Sequence, residues 1–116
     1  MTYETLQVER FTDQMVVLAR RGRRFRVITM PRLKVLPRHV PVRWTFDVAE
    51  VARRAFEFVV ASERFWEAPW RDARRPALRR RMQYAGRAFR DAALAHREPL
   101  AASDVRALVA ALRFRG

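Results

Sequence analysis

The residues best suited to chemistry in this sequence are arginines, and the densest group lies at residues 20–26, Arg-Arg-Gly-Arg-Arg-Phe-Arg. An arginine guanidinium is a planar fork that donates two hydrogen bonds to one phosphate and can also stack on a base. The segment is therefore a candidate phosphate-binding site made of Arg20, Arg21, Arg23, Arg24 and Arg26. The competing interpretation is a solvated turn in an arginine-rich sequence.

A second group of arginines falls between residues 79 and 90. Helical spacing places them away from the apolar stripe of a predicted helix, where they could follow a nucleic-acid backbone and release its counterions. The candidate residues on this helix are Arg79, Arg80, Arg87 and Arg90. The alternative is a solvated face that pairs with carboxylates of a neighbouring helix.

Three aromatic residues, Phe65, Trp66 and Trp70, lie close together in the sequence. Tryptophan is enriched both at protein interfaces and in platforms that stack on bases, so they form a candidate partner-binding cluster. Ordinary core at the end of a helix is the other interpretation.

Catalytic residues are few. Only His39 and His96 could serve as near-neutral bases, and His96 falls on the apolar stripe of a predicted helix, where a hydrogen-bonded core histidine is expected. His39 could serve a metal-free ribonuclease, which is the weaker hypothesis. The sequence has no cysteine, no glycine-rich phosphate loop and no metal-ligand spacing. We therefore predict a protein that is not an enzyme and uses no cofactor or metal.

Net charge favours a polyanionic partner. Lys+Arg is 25 against 12 Asp+Glu, so the formal net charge is +13. Lys34 is the single lysine, a skew that a GC-rich genome can produce, but such bias does not account for the shortage of acidic residues. The excess lies in two blocks, residues 20–43 at net +9 and residues 71–97 at net +7. Segregated charge of this kind predicts a cationic binding surface.

The 116 residues fit one domain, and no apolar stretch approaches the roughly 20 residues of a membrane-spanning helix. The first residues carry Glu4 and Glu9, which is the wrong charge for a secretory signal. We therefore expect a cytoplasmic protein without membrane insertion.

The predicted fold class is α+β. Alternating apolar residues over residues 1–43 indicate a basic, β-rich segment with a hairpin that turns at Arg21-Gly22; a helix over residues 12–21 is the alternative. Pro31, Pro37 and Pro41 predict an extended connector over residues 31–43.

Residues 44–116 are predicted to form a three-helix bundle. The first helix begins at a cap on Asp47, ends near Trp66 and is apolar over more than half its circumference, so it should be the central element. The second begins at Pro76 and ends near Arg97, and the third is capped by Ser103.

Two functions follow from these features. The first is a nucleic-acid-binding protein, for DNA or RNA, that grips phosphates through the hairpin tip and the basic helix without strong base-sequence specificity. The second is a small accessory subunit of a larger protein or ribonucleoprotein assembly, docked through its arginines and the apolar face of the first helix.

Overall fold

The computed structural model describes residues 2–31 and 42–98. Four antiparallel strands form one sheet in the order β1-β2-β3-β4, so each strand lies beside the one that precedes it in the chain. Two helices follow the last strand. The elements are β1 (Glu4–Arg10), β2 (Gln14–Arg21), β3 (Arg24–Pro31), β4 (Arg43–Phe46), α1 (Ala49–Glu67) and α2 (Arg75–Ala95).

The predicted hairpin is confirmed, and the alternative of a helix over residues 12–21 is excluded. Arg21 lies opposite Arg24, so Gly22 and Arg23 form a two-residue turn. Gly22 has a φ of 62° at the first central position, which is where a type II′ hairpin turn takes glycine. The turn aligns the alternating apolar residues of β2 and β3 on the same faces of the sheet.

The core lies between one face of this sheet and α1. Val16 and Leu18 of β2 lie beside Thr29 and Val27 of β3, and all four are buried. In α1, the fully buried residues Val51, Ala52 and Ala55 belong to the same core cluster. Small alanines let the helix backbone approach the sheet closely, which supports dense packing.

Helix α1 is the central element, as its wide apolar surface predicted. It contacts β2, β3 and β4 on one side and α2 on the other. Aromatic rings join these layers: Trp44 of β4 stacks on Phe58 of α1 at 6.5 Å between ring centroids and on Phe89 of α2 at 5.4 Å. Phe46 meets Phe89 edge to face at 5.7 Å. Such ring pairs add to the free energy gained by burying apolar area.

The predicted three-helix bundle is wrong. The described residues contain two helices, and these pack on a four-stranded sheet. The third helix, predicted from Ser103 onward, lies outside the described residues. The strand β4 was also missed: Arg43 was assigned to the connector, and Phe46 to the start of a helix. Because side chains alternate along a strand, Trp44 and Phe46 are both directed into the core. There both rings contact Phe89 of α2, so this helix packs near the edge of the sheet.

Most of the predicted connector, residues 32–41, lies outside the described residues. Its last part is bonded to the sheet: the Val42 amide donates to the Thr29 hydroxyl at 2.9 Å, and the Thr29 amide donates to the Val42 carbonyl at 3.1 Å. The β-rich segment therefore extends through Phe46.

The loop before α2 is organised by Asp72. Its carboxylate accepts hydrogen bonds from the Arg74 amide at 2.8 Å and from the Arg74 guanidinium at 2.9 Å. These bonds to Arg74 lower the pKa of Asp72 to about 2. Pro76 follows within the first turn of α2, where its missing amide costs no hydrogen bond.

The C-terminus of α2 caps the N-terminus of α1. Glu98 Oε1 accepts hydrogen bonds from the amides of Asp47 at 2.7 Å and Val48 at 2.8 Å. Val48 is the N-cap residue, and no side chain of its own turn caps the helix. The predicted cap at Asp47 is therefore wrong, because Val48 is the N-cap residue and the Glu98 carboxylate binds the amides at and just before it.

The predicted core position of His96 is also wrong. The buried stripe of α2 ends at Ala93, and His96 lies past the last helical residue as the C-cap. Its ring Nε2 lies 3.4 Å from Glu50 Oε2 at the exposed junction of the two helices.

Candidate nucleic-acid interface

Strand register sorts the charged residues onto two faces of the sheet. Residues opposite each other across a strand pair share a face, and neighbours along a strand alternate. On the face turned away from the helices, this places five arginines: Arg10, Arg21, Arg24, Arg26 and Arg43. Among the strand residues that the structure describes, this face carries no aspartate or glutamate. We name it the arginine face.

The acidic strand residues lie on the opposite face, where they are paired. Glu4 binds Arg20 at 2.9 Å, and Glu9 binds Arg64 of α1 at 2.8 Å. Arg20 is thus separated from the rest of the predicted arginine tip, since strand alternation turns it to the helix side of the sheet. Its neighbour Arg21 projects to the arginine face.

Positive charge is concentrated at the end of the β2–β3 hairpin. Arg21 and Arg24 lie directly opposite each other, an arrangement in which like charges repel. Arg23 lies between them in the turn and forms no ion pair within the described residues. Asp47 is the nearest acid, with its Oδ1 3.7 Å from Arg24 Nε, and both side chains are mostly exposed. These four residues line an open recess.

Tyr3 supports the arginine face from the chain terminus. The Arg26 guanidinium carbon lies 4.1 Å from the centroid of the Tyr3 ring, and that of Arg21 lies 5.2 Å from it. Stacking on a ring holds a guanidinium in place without neutralising its charge. The buried Nε of Arg26 has no hydrogen-bond partner in the described part of the chain. Sequence reasoning missed Tyr3, because it is distant along the chain from the arginines that it contacts.

The predicted arginines of α2 differ in their surroundings. Arg80 and Arg87 are exposed, whereas Arg79 is half-buried and already has an interaction within the chain. Arg90 pairs with Asp91 at 3.3 Å. An open recess on this helix is lined by Ala77, Arg80, Arg81, Gln83, Tyr84 and Arg87. Arg80 and Arg87 therefore remain as cations that carry no ion pair in the described ranges.

The two arginine groups occupy separate surfaces. Arg80 and Arg87 lie on the side of α2 opposite its buried residues Met82 and Phe89, in the helical layer of the fold. The arginine face lies on the far side of the sheet from that layer. The structure therefore does not bring the two predicted sets into one site.

The aromatic cluster is divided between core and surface. Phe65 is buried at 1% exposure, Trp66 is 38% exposed and Trp70 is 77% exposed. The Arg75 guanidinium carbon lies 4.3 Å from the Phe65 ring centroid and 5.0 Å from that of Trp70. Phe65 is thus a core residue, and Trp70 is the member of the cluster most available to a partner.

Comparison of this chain with protein-family models, curated proteins and solved structures gives no match. In the part of the chain that the structure describes, neither helix has the length and apolar character needed to cross a membrane. Because one fold hosts many functions, the function of this chain must be inferred from the chemistry of its arginine surfaces.

Proposed function

We propose that this protein binds nucleic acid without catalysis, gripping phosphates through the arginine face at the hairpin tip and through the exposed arginines of α2. The observation that carries the proposal is the charge on the arginine face. Five arginines and no acidic residue occupy its described strand positions, and Asp47, which follows β4, lies 3.7 Å from Arg24.

Electrostatics supports a polyanion as the ligand. Arg21 and Arg24 repel each other across the hairpin, and their repulsion is relieved when phosphates bind between or beside them. The net charge of +13 adds long-range attraction, and each phosphate contact releases a counterion. Binding to phosphates is therefore expected to be strong at low salt.

The side chains around these arginines argue against strong base-sequence specificity. Arginine can itself read guanine, but the other bases need other side chains: asparagine and glutamine read adenine, and aspartate and glutamate read cytosine. None of these four residue types occurs at the described strand positions of the arginine face, and the whole sequence contains no asparagine. Phosphate position and strand shape would then select the ligand.

The second candidate is the accessory subunit. The apolar arc of α1 no longer supports it, because this arc is covered by the sheet and by α2. Trp70 does support it, since a tryptophan with 77% exposure is typical of an interface residue. Under this hypothesis the purified protein binds nucleic acid weakly, and changing Trp70 to alanine abolishes assembly with its protein partner.

A matched pair of charge variants tests the leading proposal. The tip variant carries Arg21→Gln and Arg24→Gln, and the control carries Arg20→Gln and Arg54→Gln, whose arginines pair with Glu4 and Glu57. Both variants lose the same net charge. We expect the tip variant to bind a labelled oligonucleotide at least about tenfold more weakly, and the control to stay within about threefold of the parent, because of these two arginine pairs only the tip pair is proposed to contact phosphates.

Fluorescence anisotropy at fixed salt measures both affinities. Equal losses in the two variants would mean that net charge alone drives binding, and would remove the arginine face from the proposal.

A further inference from the structure

The recess on α2 contains an exposed aromatic ring surrounded by arginines. Tyr84 is 74% exposed, and Arg80, Arg81 and Arg87 line the same recess. Residues three and four positions apart are neighbours on a helix surface, so Arg80 and Arg81 lie on one side of Tyr84 and Arg87 on the other. The axial separations from Tyr84 are about 6 Å to Arg80 and about 4.5 Å to Arg87.

The positive charge around Tyr84 is not neutralised within the described residues. Asp91 is the one acidic residue in the sequence of α2, and it binds Arg90. Arg80, Arg81 and Arg87 form no ion pair in the part of the chain that the structure describes. An exposed ring flanked by free guanidinium groups fits a ligand that presents both a flat face and negative charges.

We propose that Tyr84 stacks on an unpaired base of a nucleic acid while Arg80 and Arg87 bind the flanking phosphates. This inference rests on the proposed function and narrows its ligand class to single strands. In a duplex the flat faces of the bases are occupied by their neighbours, whereas unpaired bases present them to aromatic side chains. A stacking contact tolerates any base, in agreement with the absence of adenine-reading and cytosine-reading side chains at the described strand positions of the arginine face.

The test compares a single-stranded oligonucleotide with an abasic strand of the same length, which keeps the phosphates and lacks the bases. Changing Tyr84 to alanine should weaken binding of the oligonucleotide about tenfold, because stacking on one base is lost. Binding of the abasic strand should stay within about twofold. Tyr84→Phe keeps the ring and should bind both strands as the parent does.

Leu94 provides a matched control, since it is exposed on the same helix and far from the recess. Leu94→Ala should leave both affinities unchanged, and circular dichroism checks that each variant is folded. Equal loss of oligonucleotide and abasic binding in Tyr84→Ala would overturn the stacking role, as would no loss at all. Either result is compatible with the proposed function, provided that the tip variant binds the oligonucleotide more weakly than the parent does.

A polyglutamate competitor separates nucleic acid from acidic protein as the occupant of the recess. We expect it to displace the oligonucleotide only at a large excess of charge, because it offers no ring to Tyr84. Displacement of the oligonucleotide by polyglutamate at equal charge would contradict the inference about Tyr84. If no nucleic-acid strand binds at low salt, the proposed function is overturned as well.

Discussion

At the scale of single residues, Arg97 has the least usual backbone of the described chain. Its φ is 55°, in the left-handed region that disfavours side chains with a Cβ atom. The Arg97 amide donates to the Leu94 carbonyl at 3.2 Å, and the Glu98 amide donates to the Ala93 carbonyl at 2.9 Å. This pair of bonds is a Schellman motif, in which the left-handed position usually takes glycine.

Changing Arg97 to glycine should therefore stabilise the protein by about 0.5 to 1 kcal/mol, because the strain at this position is relieved. Arg97→Ala removes the same charge and retains the strain, so it serves as the control and should not be more stable than the parent. Urea unfolding measures both free energies. A glycine variant no more stable than the alanine variant would show that the left-handed backbone costs nothing here.

The candidate arginines could be found from the sequence, but their pairing could not. Arg20 and Arg21 are adjacent in the arginine-rich segment 20–26. Only the register of β1 on β2 shows that Arg20 faces Glu4 and that Arg21 does not. Tyr84 could have been found, because arginines three and four positions before it and three positions after it surround it on the polar side of a predicted helix.

At the scale of elements, the junction of α1 and α2 holds the helical layer together. The Schellman turn directs Glu98 back to the start of α1, where its carboxylate accepts hydrogen bonds from the amides of the N-cap residue Val48 and of Asp47 before it, near the positive end of the helix dipole. This contact joins positions 50 residues apart in the chain. The Asp47 side chain, which the sequence suggested as the cap, does not cap the helix.

Removing the Glu98 carboxylate should destabilise the protein. Glu98→Ala leaves the amides of Asp47 and Val48 without their acceptor, at a cost of about 1 to 2 kcal/mol in the free energy of unfolding. Glu57→Ala, which breaks only an exposed pair with Arg54, should cost less than about 0.5 kcal/mol. Thermal or urea unfolding gives both values, and equal losses would argue that Glu98 does not act as a cap.

Elements with strong local signals were predicted well, and those defined by distant contacts were not. The hairpin follows from Gly22 between two alternating segments, and α2 from Pro76 and an apolar stripe. β4 has only four residues, and its strand character depends on pairing with β3 and on the contact of Trp44 with Phe89. Neither contact is visible in the local sequence, so the segment was divided between a connector and a helix start.

At the scale of the whole molecule, the distribution of charge is the property most relevant to function. The sequence showed two basic blocks, and the structure places Arg21 and Arg24 of the first block and Arg80 and Arg87 of the second on two separate surfaces. Their separation in space depends on the packing of α2 in a helical layer on one face of the sheet, where the sequence analysis predicted a three-helix bundle. A ligand that engages both surfaces must extend around the protein or be bound at two points.

Salt dependence of binding tests the central claim of phosphate recognition most directly. Seven exposed or half-buried arginines are proposed to contact phosphates: Arg21, Arg23, Arg24, Arg26, Arg80, Arg81 and Arg87. If all seven do so on a single strand, the logarithm of the binding constant should fall against the logarithm of salt concentration with a slope of about −5. The tip variant, which lacks Arg21 and Arg24, should have a slope shallower by about 1.4, since two contacts are removed. A parent slope shallower than about −2, unchanged in the tip variant, would contradict nucleic-acid binding through these arginines.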